Sequence, residues 1–141
     1  MLAVIPARAG SKGIPGKNLR EVAGRSLVAR SVAVARAART VDAVIVSTDG
    51  DAIAGEAVAA GARVVRRPVD LAGDEASSES ALLHALDAFT TEPDTGTPEV
   101  LVFLQATSPF TDPVDIDRAV ERVLTGAADA VLAAAPSHAF L

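Results

Sequence analysis

Short apolar runs alternate along the chain with stretches whose apolar positions have a helical period. The apolar runs end at polar or turn-forming residues and predict five strands, at 2–5, 41–47, 62–65, 100–104 and 130–134. Apolar positions three and four residues apart predict helices at 26–39, 51–60, 77–89 and 113–124. The first strand, closed by Pro6, is continuously apolar, which is typical of a strand buried on both faces of a parallel sheet.

The alternation of strands and helices predicts an α/β fold with three layers and a mainly parallel sheet. Right-handed crossovers connect successive strands of this kind. We see no repeat or linker and expect a single domain. Polar clusters follow four of the predicted strands, at 8–18, 47–49, 67 and 105–108. Because ligands of such sheets bind outside the carboxyl ends of the strands, we expect these clusters to share one rim.

The segment 7–18 follows the first strand and is the clearest candidate for a binding loop. It contains both lysines of the chain, Lys12 and Lys17, and no acidic residue. Three glycines at intervals of three residues allow backbone N–H groups to approach an anion. With Arg8 and Arg20, the first twenty residues carry four positive charges, whereas the net charge of the chain is −5. The local positive field indicates a small anionic ligand; the alternative is a flexible turn with solvated cations.

Two common phosphate-binding motifs do not fit this loop. Its glycines run G-x-x-G-x-x-G, whereas the dinucleotide fingerprint requires G-x-G-x-x-G. The P-loop requires four residues between its first glycine and Gly-Lys, but five residues separate Gly10 from Gly16. Asn18 also occupies the place of the Mg²⁺-binding Ser or Thr. The loop therefore belongs to neither class.

Composition and charge restrict the possible partners. Aromatic residues are only 3% of the 141 residues, which leaves few rings for stacking on bases, and the net charge of −5 also argues against nucleic acid. The absence of cysteine excludes disulfides and is compatible with the cytoplasm. The N-terminal apolar run is too short for a signal peptide, and no run approaches the ~20 residues of a membrane span. We expect a cytoplasmic protein that binds neither nucleic acid nor membrane.

Several other polar residues have simpler structural explanations. Asp49 is favoured as a turn or cap residue rather than a ligand. His84 and His138 lack the spacing of metal ligands and are expected to pack or to face solvent. Arg66 and Arg67 could be a solvated pair. Three carboxylates lie around a helix start, where the helix dipole favours negative charge, so no metal site is assigned to them; they are Asp112, Asp115 and Asp117.

Five segments, taken in order, resemble the acylneuraminate cytidylyltransferases, also called CMP-sialic acid synthetases. They are IPARAGSKGIPGKNL at 5–19, VSTD at 46–49, RP at 67–68 with LAGD at 71–74, ASS at 76–78 and QATSP at 105–109. The first segment is long and specific, and the others are informative together. The resemblance covers almost the whole chain. It implies a Rossmann-like fold of the nucleotide-diphospho-sugar transferase type.

The resemblance implies an enzyme that transfers CMP from CTP to a nonulosonic, sialic-acid-type sugar and releases pyrophosphate. In this reaction a sugar hydroxyl attacks the α-phosphorus, and preorganised cations stabilise the charge that develops on the phosphate oxygens. The implied catalytic residues are Arg8, Lys12 and Lys17. The implied nucleotide contacts are Ala7, Ser11, Asn18, Arg67, Ala76 and Ser78, and the implied sugar contacts are Gln105, Thr107 and Ser108. The resemblance further implies Mg²⁺ bridging the phosphates, CTP and an acidic nine-carbon sugar as partners, and a homodimer.

The chain also departs from the family pattern. Ala106 replaces a usual proline, and Thr111 replaces an arginine expected near an acidic sugar. Family domains continue beyond the point that matches Leu141, with metal-binding aspartates in the later part. Residues 1–141 are therefore expected to form one CTP-binding domain that is incomplete at its C-terminus.

Three alternatives remain open. The first is the cytidylyltransferase that activates Kdo, whose sequences typically have an aspartate at the position of Thr107. The second is activation of legionaminic or pseudaminic acid by a relative that shares the loop. The third is a catalytically incomplete module that binds CTP.

Overall fold

The computed structural model describes residues 1–10, 13–73 and 77–136. The strands in these ranges are β1 Leu2–Pro6, β2 Glu21–Val22, β3 Arg25–Ser26, β4 Ala43–Thr48, β5 Arg63–Arg66 and β6 Leu101–Phe103. The α-helices are α1 Leu27–Ala37, α2 Asp51–Ala59, α3 Ser78–Thr91 and α4 Pro113–Leu124. Short 3-10 helices lie at Lys17–Leu19 and Val69–Leu71. No helix in the described part of the chain combines the length and the apolar character needed to cross a bilayer.

Four strands form a parallel sheet in the order β5-β4-β1-β6. The chain proceeds from β1 outward to β4 and β5, then crosses to the other side of β1 to form β6. Strand order therefore reverses at β1. The crevice at the carboxyl ends of β1 and β6 is where open α/β sheets bind ligands.

Helices cover both faces of the sheet, as the sequence predicts. Leu2 and Val4 of β1 are buried on one face, against Ala85 and Phe89 of α3. Ala3 and Ile5 are buried on the opposite face, in a cluster that includes Leu27, Val28, Val32 and Ala35 at the start and along α1. The α/β fold with three layers and a parallel sheet is confirmed, and β1 is its central strand.

Local capping fixes where three of the helices begin. The Ser26 hydroxyl accepts the Ala29 N–H at 3.2 Å, and the Ser77 hydroxyl accepts the Ser80 N–H at 3.1 Å. The Asp112 carboxylate accepts the Val114 N–H at 2.8 Å. These side chains satisfy N–H groups that have no partner within the helix. The predicted helix starts are therefore confirmed to within a residue.

The predicted fifth strand, at 130–134, does not form in the structure. These residues have no regular secondary structure, and Leu132 is 88% exposed. Residues 130–133 line an apolar groove of about 620 Å³ together with β6, and they are not part of the sheet. An apolar run predicts burial or a strand from local pattern alone, whereas a strand also requires a partner edge for its backbone hydrogen bonds.

A small hairpin between the loop and α1 is not predicted by the sequence pattern. Strands β2 and β3 pair antiparallel through a two-residue turn, in which Ala23 and Gly24 have φ values of 51° and 77°. Positive φ at both positions is the geometry that matches the twist of a tight hairpin. Two residues per strand are too few to produce a detectable alternation.

Candidate functional site

A cavity of about 380 Å³ lies at the carboxyl ends of β1 and β6. Its volume is within the usual range for small-molecule sites. It occupies the point where strand order reverses, which is the expected position of a ligand site in this architecture. Its lining residues are Pro6, Arg8, Gly13, Lys17, Asn18, Arg67, Ser77, Ser78, Ala81, Phe103, Gln105, Ala106 and Thr107.

Residues that are far apart in the sequence meet in this cavity. Seven of the predicted site residues line it: Arg8, Lys17, Asn18, Arg67, Ser78, Gln105 and Thr107. The expectation of a shared rim is therefore met for six of them, which belong to the clusters at 8–18, 67 and 105–108, whereas residues 47–49 do not line the cavity. Ser78 is predicted through the family resemblance alone, and the individual roles of all seven stay predictions. Sequence reasoning did not single out Gly13, Ser77 or Phe103 as site residues, although Gly13 and Ser77 belong to segments that carry the family resemblance.

Five predicted site residues do not belong to the described lining of this cavity. Ala7 is buried in the core, and its N–H donates to the Ser47 carbonyl oxygen at 2.9 Å. Ser108 lines the apolar groove beside β6, whereas Gln105 lines both the groove and the cavity. Ser11, Lys12 and Ala76 lie outside the described residues, as does His138.

Asn18 forms a side-chain hydrogen bond within the binding loop. Its side chain is buried, and its Nδ2 donates to the Arg8 carbonyl oxygen at 3.0 Å. The preceding Gly16 has a φ of 62°, and its carbonyl oxygen accepts the Leu19 N–H at 2.9 Å. The short 3-10 helix that follows places Lys17 at the cavity. Asn18 thus has a structural contact in addition to the nucleotide contact that the resemblance implies.

Arg67 is fixed against the end of β4. Its Nη2 donates to the Ser47 carbonyl oxygen at 2.9 Å and its Nε to the Ser47 hydroxyl at 3.3 Å. The pKa of Arg67 is lowered overall. Burial is the largest cause, nearby Asp49 acts in the opposite direction, and nearby Arg8 lowers the pKa further. Arg66, in contrast, is exposed and pairs with Asp51 at 2.7 Å. The explanation of both arginines as a solvated pair is therefore wrong for Arg67.

The turn after β4 contacts the beginning of the binding loop. The Asp49 carboxylate accepts the Ala9 N–H at 2.8 Å. Gly50 lies so close that a Cβ at this position would be 2.9 Å from the Ala9 Cβ. Asp49 therefore does more than turn the chain. Its contact joins the turn after β4 to the loop after β1, and the sequence around Asp49 alone does not reveal this contact.

The described residues do not contain a side-chain cluster of the kind that encloses a metal ion. No group of three or more His, Cys, Asp or Glu side chains in those ranges is arranged to hold one. Positive side chains instead dominate the cavity, where Arg8, Lys17 and Arg67 converge. Three cations in a cleft raise the local concentration of a polyanion and bind its oxygens.

Comparisons with known sequences show which proteins this chain resembles. A family profile described as cytidylyltransferase matches residues 2–138. A CMP-N,N'-diacetyllegionaminic acid synthase of Legionella pneumophila is 43% identical over 86% of this chain and 52% of its own length. An N-acylneuraminate cytidylyltransferase of Escherichia coli is 37% identical over 86% of this chain and 27% of its own length. A 3-deoxy-manno-octulosonate cytidylyltransferase of Anaeromyxobacter is 38% identical over 92% of this chain and 49% of its own length. The chain thus spans about half or less of the length of these relatives.

Two solved structures have a similar fold. One is a CMP:2-keto-3-deoxy-manno-octonic acid synthetase complexed with CTP, with a TM-score of 0.73, 23% identity, and coverage of 90% of this chain and 48% of that chain. The other is Rv0371c of Mycobacterium tuberculosis in complex with manganese, with a TM-score of 0.54, 22% identity, and coverage of 86% and 58%. The TM-scores establish a common fold, and at these low identities the likeness extends to the fold alone.

Proposed function

The chain belongs to the cytidylyltransferase family, and we propose that it carries the CTP-binding part of an enzyme that transfers CMP from CTP to a nonulosonic acid of the sialic-acid type. Pyrophosphate is the second product. The observation that carries the proposal is the convergence of Arg8, Lys17 and Arg67 on one cavity where strand order reverses. A triphosphate is the common polyanion that three such cations fit.

Two of the three cations come from the loop after β1. Arg8 and Lys17 both line the cavity, where the triphosphate would lie. Attack of the sugar hydroxyl on the α-phosphorus breaks the bond to the β-phosphate oxygen, so negative charge grows on the departing pyrophosphate. Fixed cations that meet this charge lower the barrier without reorganising during the step. We assign this role to Arg8 and Lys17, and also to Lys12, which lies outside the described residues.

Arg67 and the start of α3 form another part of the cavity wall. Arg67 is held by Ser47, and Ser78 is the first residue of α3. We assign Arg67, Ala76 and Ser78 to the cytidine part of CTP, and we keep Ala7, Ser11 and Asn18 as the further nucleotide contacts that the family resemblance implies. Donors at fixed positions can discriminate one base from another, because a wrong base leaves them without partners.

The acceptor sugar would enter from the side of β6. Gln105 and Thr107 line the cavity, and Gln105 also borders the groove that contains Ser108 and Thr111. We assign Gln105, Thr107 and Ser108 to the sugar. The family resemblance makes N-acylneuraminate the proposed acceptor, and a relative named for that sugar is 37% identical. Legionaminic acid and Kdo are the alternative acceptors, for which relatives are 43% and 38% identical.

Mg²⁺, a homodimer and a cytoplasmic location complete the proposal. Mg²⁺ is commonly bound through substrate phosphates with only one or two carboxylates, and the fold neighbour solved with manganese supports a divalent ion. The described residues do not contain a side-chain cluster that would enclose the ion. The homodimer rests on the family resemblance alone, and the cytoplasm is where the cell's CTP is available.

Calorimetry with CTP and ATP in the presence of Mg²⁺, followed by an assay of pyrophosphate release, tests this function. We expect CTP to bind more tightly than ATP, and pyrophosphate to appear with N-acetylneuraminic acid in preference to legionaminic acid and Kdo. Equal affinity for the two nucleotides would contradict the assignment of the cavity. Specific CTP binding without pyrophosphate release from any of the three sugars would favour the alternative of a catalytically incomplete CTP-binding module.

A further inference from the structure

Hydrogen bonds between the chain after β1 and the chain after β4 continue beyond the two strands. The paired register of β1 and β4 ends at Pro6 and Ser47. One residue later the Ala7 N–H still donates to the Ser47 carbonyl oxygen at 2.9 Å. Two residues further on, the Ala9 N–H donates to the Asp49 carboxylate at 2.8 Å. A side chain thus replaces the backbone acceptor after the strands have diverged.

These contacts fix the backbone around Arg8 at three consecutive positions. The Ala7 N–H is bound to Ser47 near the end of β4, and the Ala9 N–H is bound to Asp49 just after it. Between them, the Arg8 carbonyl oxygen accepts a hydrogen bond from Asn18 Nδ2 at 3.0 Å. The close approach of Gly50 to Ala9 shows that the same segment also packs tightly against the loop. The starting point of the Arg8 side chain is therefore determined by its neighbours on both sides.

We propose that Asp49 is a positioning residue for the anion-binding loop, acting as a hydrogen-bond acceptor for Ala9 rather than through its negative charge. The proposal rests on the proposed function, because it states how the same cavity is kept in shape for the triphosphate. The charge itself works against the ligand, since a carboxylate beside the cationic cavity repels a polyanion. The geometric and electrostatic effects of Asp49 on CTP affinity therefore have opposite signs.

This opposition allows a decisive comparison of two substitutions. Asp49→Asn keeps an acceptor oxygen and removes the charge, so the Kd for CTP should stay equal to that of the wild type or fall. Asp49→Ala removes both, so the Kd should rise about tenfold, which corresponds to the loss of one typical hydrogen bond. Asp51→Ala is the matched control, because it removes the same charge two residues away where the carboxylate pairs with Arg66. We expect that control to change the Kd by less than about twofold, as is usual for an exposed ion pair.

Gly50→Ala gives a second, independent perturbation of the same contact. Its new Cβ would be 2.9 Å from the Ala9 Cβ and would push the loop away, so the Kd for CTP should rise. Gly55→Ala is its control, since a Cβ there meets open space. Hydrogen exchange of the Ala9 N–H can be monitored by NMR in the absence of nucleotide. It should be slow in the wild type and in Asp49→Asn, and faster in Asp49→Ala.

The outcomes separate the two proposals. If Asp49→Ala and Asp49→Asn change the Kd for CTP equally, Asp49 acts only through charge and the inference is overturned. Unchanged Ala9 exchange in Asp49→Ala would overturn it as well. If the wild type does not bind CTP, the proposed function fails, whereas the Ala9 exchange rates still decide whether Asp49 holds the loop.

Discussion

The Arg67 guanidinium donates to the Ser47 carbonyl oxygen at 2.9 Å, and this oxygen also accepts the Ala7 N–H at 2.9 Å. One carbonyl at the end of β4 thus connects the chain after β1 with the chain after β5. The contact holds a half-buried cation at the cavity wall, where its remaining N–H groups can meet a ligand. It also makes the position of Arg67 depend on sheet pairing rather than on its own loop.

Replacing Arg67 with alanine should weaken CTP binding by at least tenfold. The change removes a cation from the cavity and the contacts to Ser47, and it should lower the free energy of unfolding by about 1–3 kcal/mol. Arg66→Ala, at the exposed neighbour that pairs with Asp51, is the control and should leave CTP affinity close to the wild-type value. Calorimetry and urea unfolding measure both effects. Equal losses for the two variants would contradict a specific role of Arg67.

Lys17→Ala should reduce the rate of pyrophosphate release by about 100- to 1,000-fold, because it removes a fixed cation from the developing charge. Arg20→Ala removes an equal charge three residues away, at an exposed side chain that does not line the cavity. Single-turnover assays with saturating CTP isolate the chemical step from binding. A matching loss of rate in both variants would indicate a general effect of net charge.

Asn18→Asp should destabilise the protein although it hardly changes the size of the side chain. The carboxylate cannot donate to the Arg8 carbonyl oxygen, so two acceptors face each other at a partly buried contact. We expect the free energy of unfolding at pH 7 to fall by about 1–3 kcal/mol. Burial beside a carbonyl oxygen raises the pKa of the introduced carboxyl in the folded state. The difference from the wild type should therefore narrow as the pH falls towards the unfolded value of about 3.9, because the protonated carboxyl can donate again. Urea titrations at several pH values measure the difference in the free energy of unfolding between Asn18→Asp and the wild type. A difference that does not change with pH would contradict a role for this hydrogen bond.

Asp117 should make stability depend on pH. Its carboxylate accepts the Thr40 hydroxyl at 2.7 Å, the Thr40 N–H at 2.8 Å and the Arg39 N–H at 3.1 Å. These bonds, led by that of the Thr40 hydroxyl, lower the pKa of Asp117. A lowered folded-state pKa gives stability that is fully present above the unfolded value of about 3.9 and is lost as the pH falls through the folded value.

Asp117→Asn should therefore reduce stability at pH 7 and flatten the loss of stability on acidification. Asp115→Asn is the control, because that exposed carboxylate contacts only Arg118 at 3.6 Å among the ion pairs of the described residues. Urea midpoints measured from pH 7 to pH 3 compare the two. An acid dependence in Asp117→Asn equal to that of the wild type would exclude Asp117 as its source. The sequence explains Asp117 by the favourable helix dipole at the start of α4. The structure adds a second role, because Asp117 also accepts hydrogen bonds from Arg39 and Thr40 in the chain that follows α1.

Sequence patterns are sufficient where local physics decides the structure. The continuous apolar run of β1 can only be buried, and Ser26 and Asp112 precede apolar periodicity in the way that helix caps do. The local concentration of cations in segment 7–18 likewise follows from counting charges. These features depend on side chains within a few positions of one another.

The predicted rim did not specify which of its residues line one cavity, and the tertiary structure supplies that answer. The order β5-β4-β1-β6 brings Arg8, Arg67 and Gln105 to one cavity and leaves Ser108 at the groove beside β6. It likewise places Asp49 on Ala9, a contact that spans forty residues of sequence. Local patterns are enough for the four strands of the sheet, the helix caps and the cationic loop, because these depend on nearest neighbours. They also predict a strand at 130–134 that does not form, and they miss the β2–β3 hairpin. Strand order and the contacts that extend from it depend on how the whole sheet packs, and no local pattern carries that information.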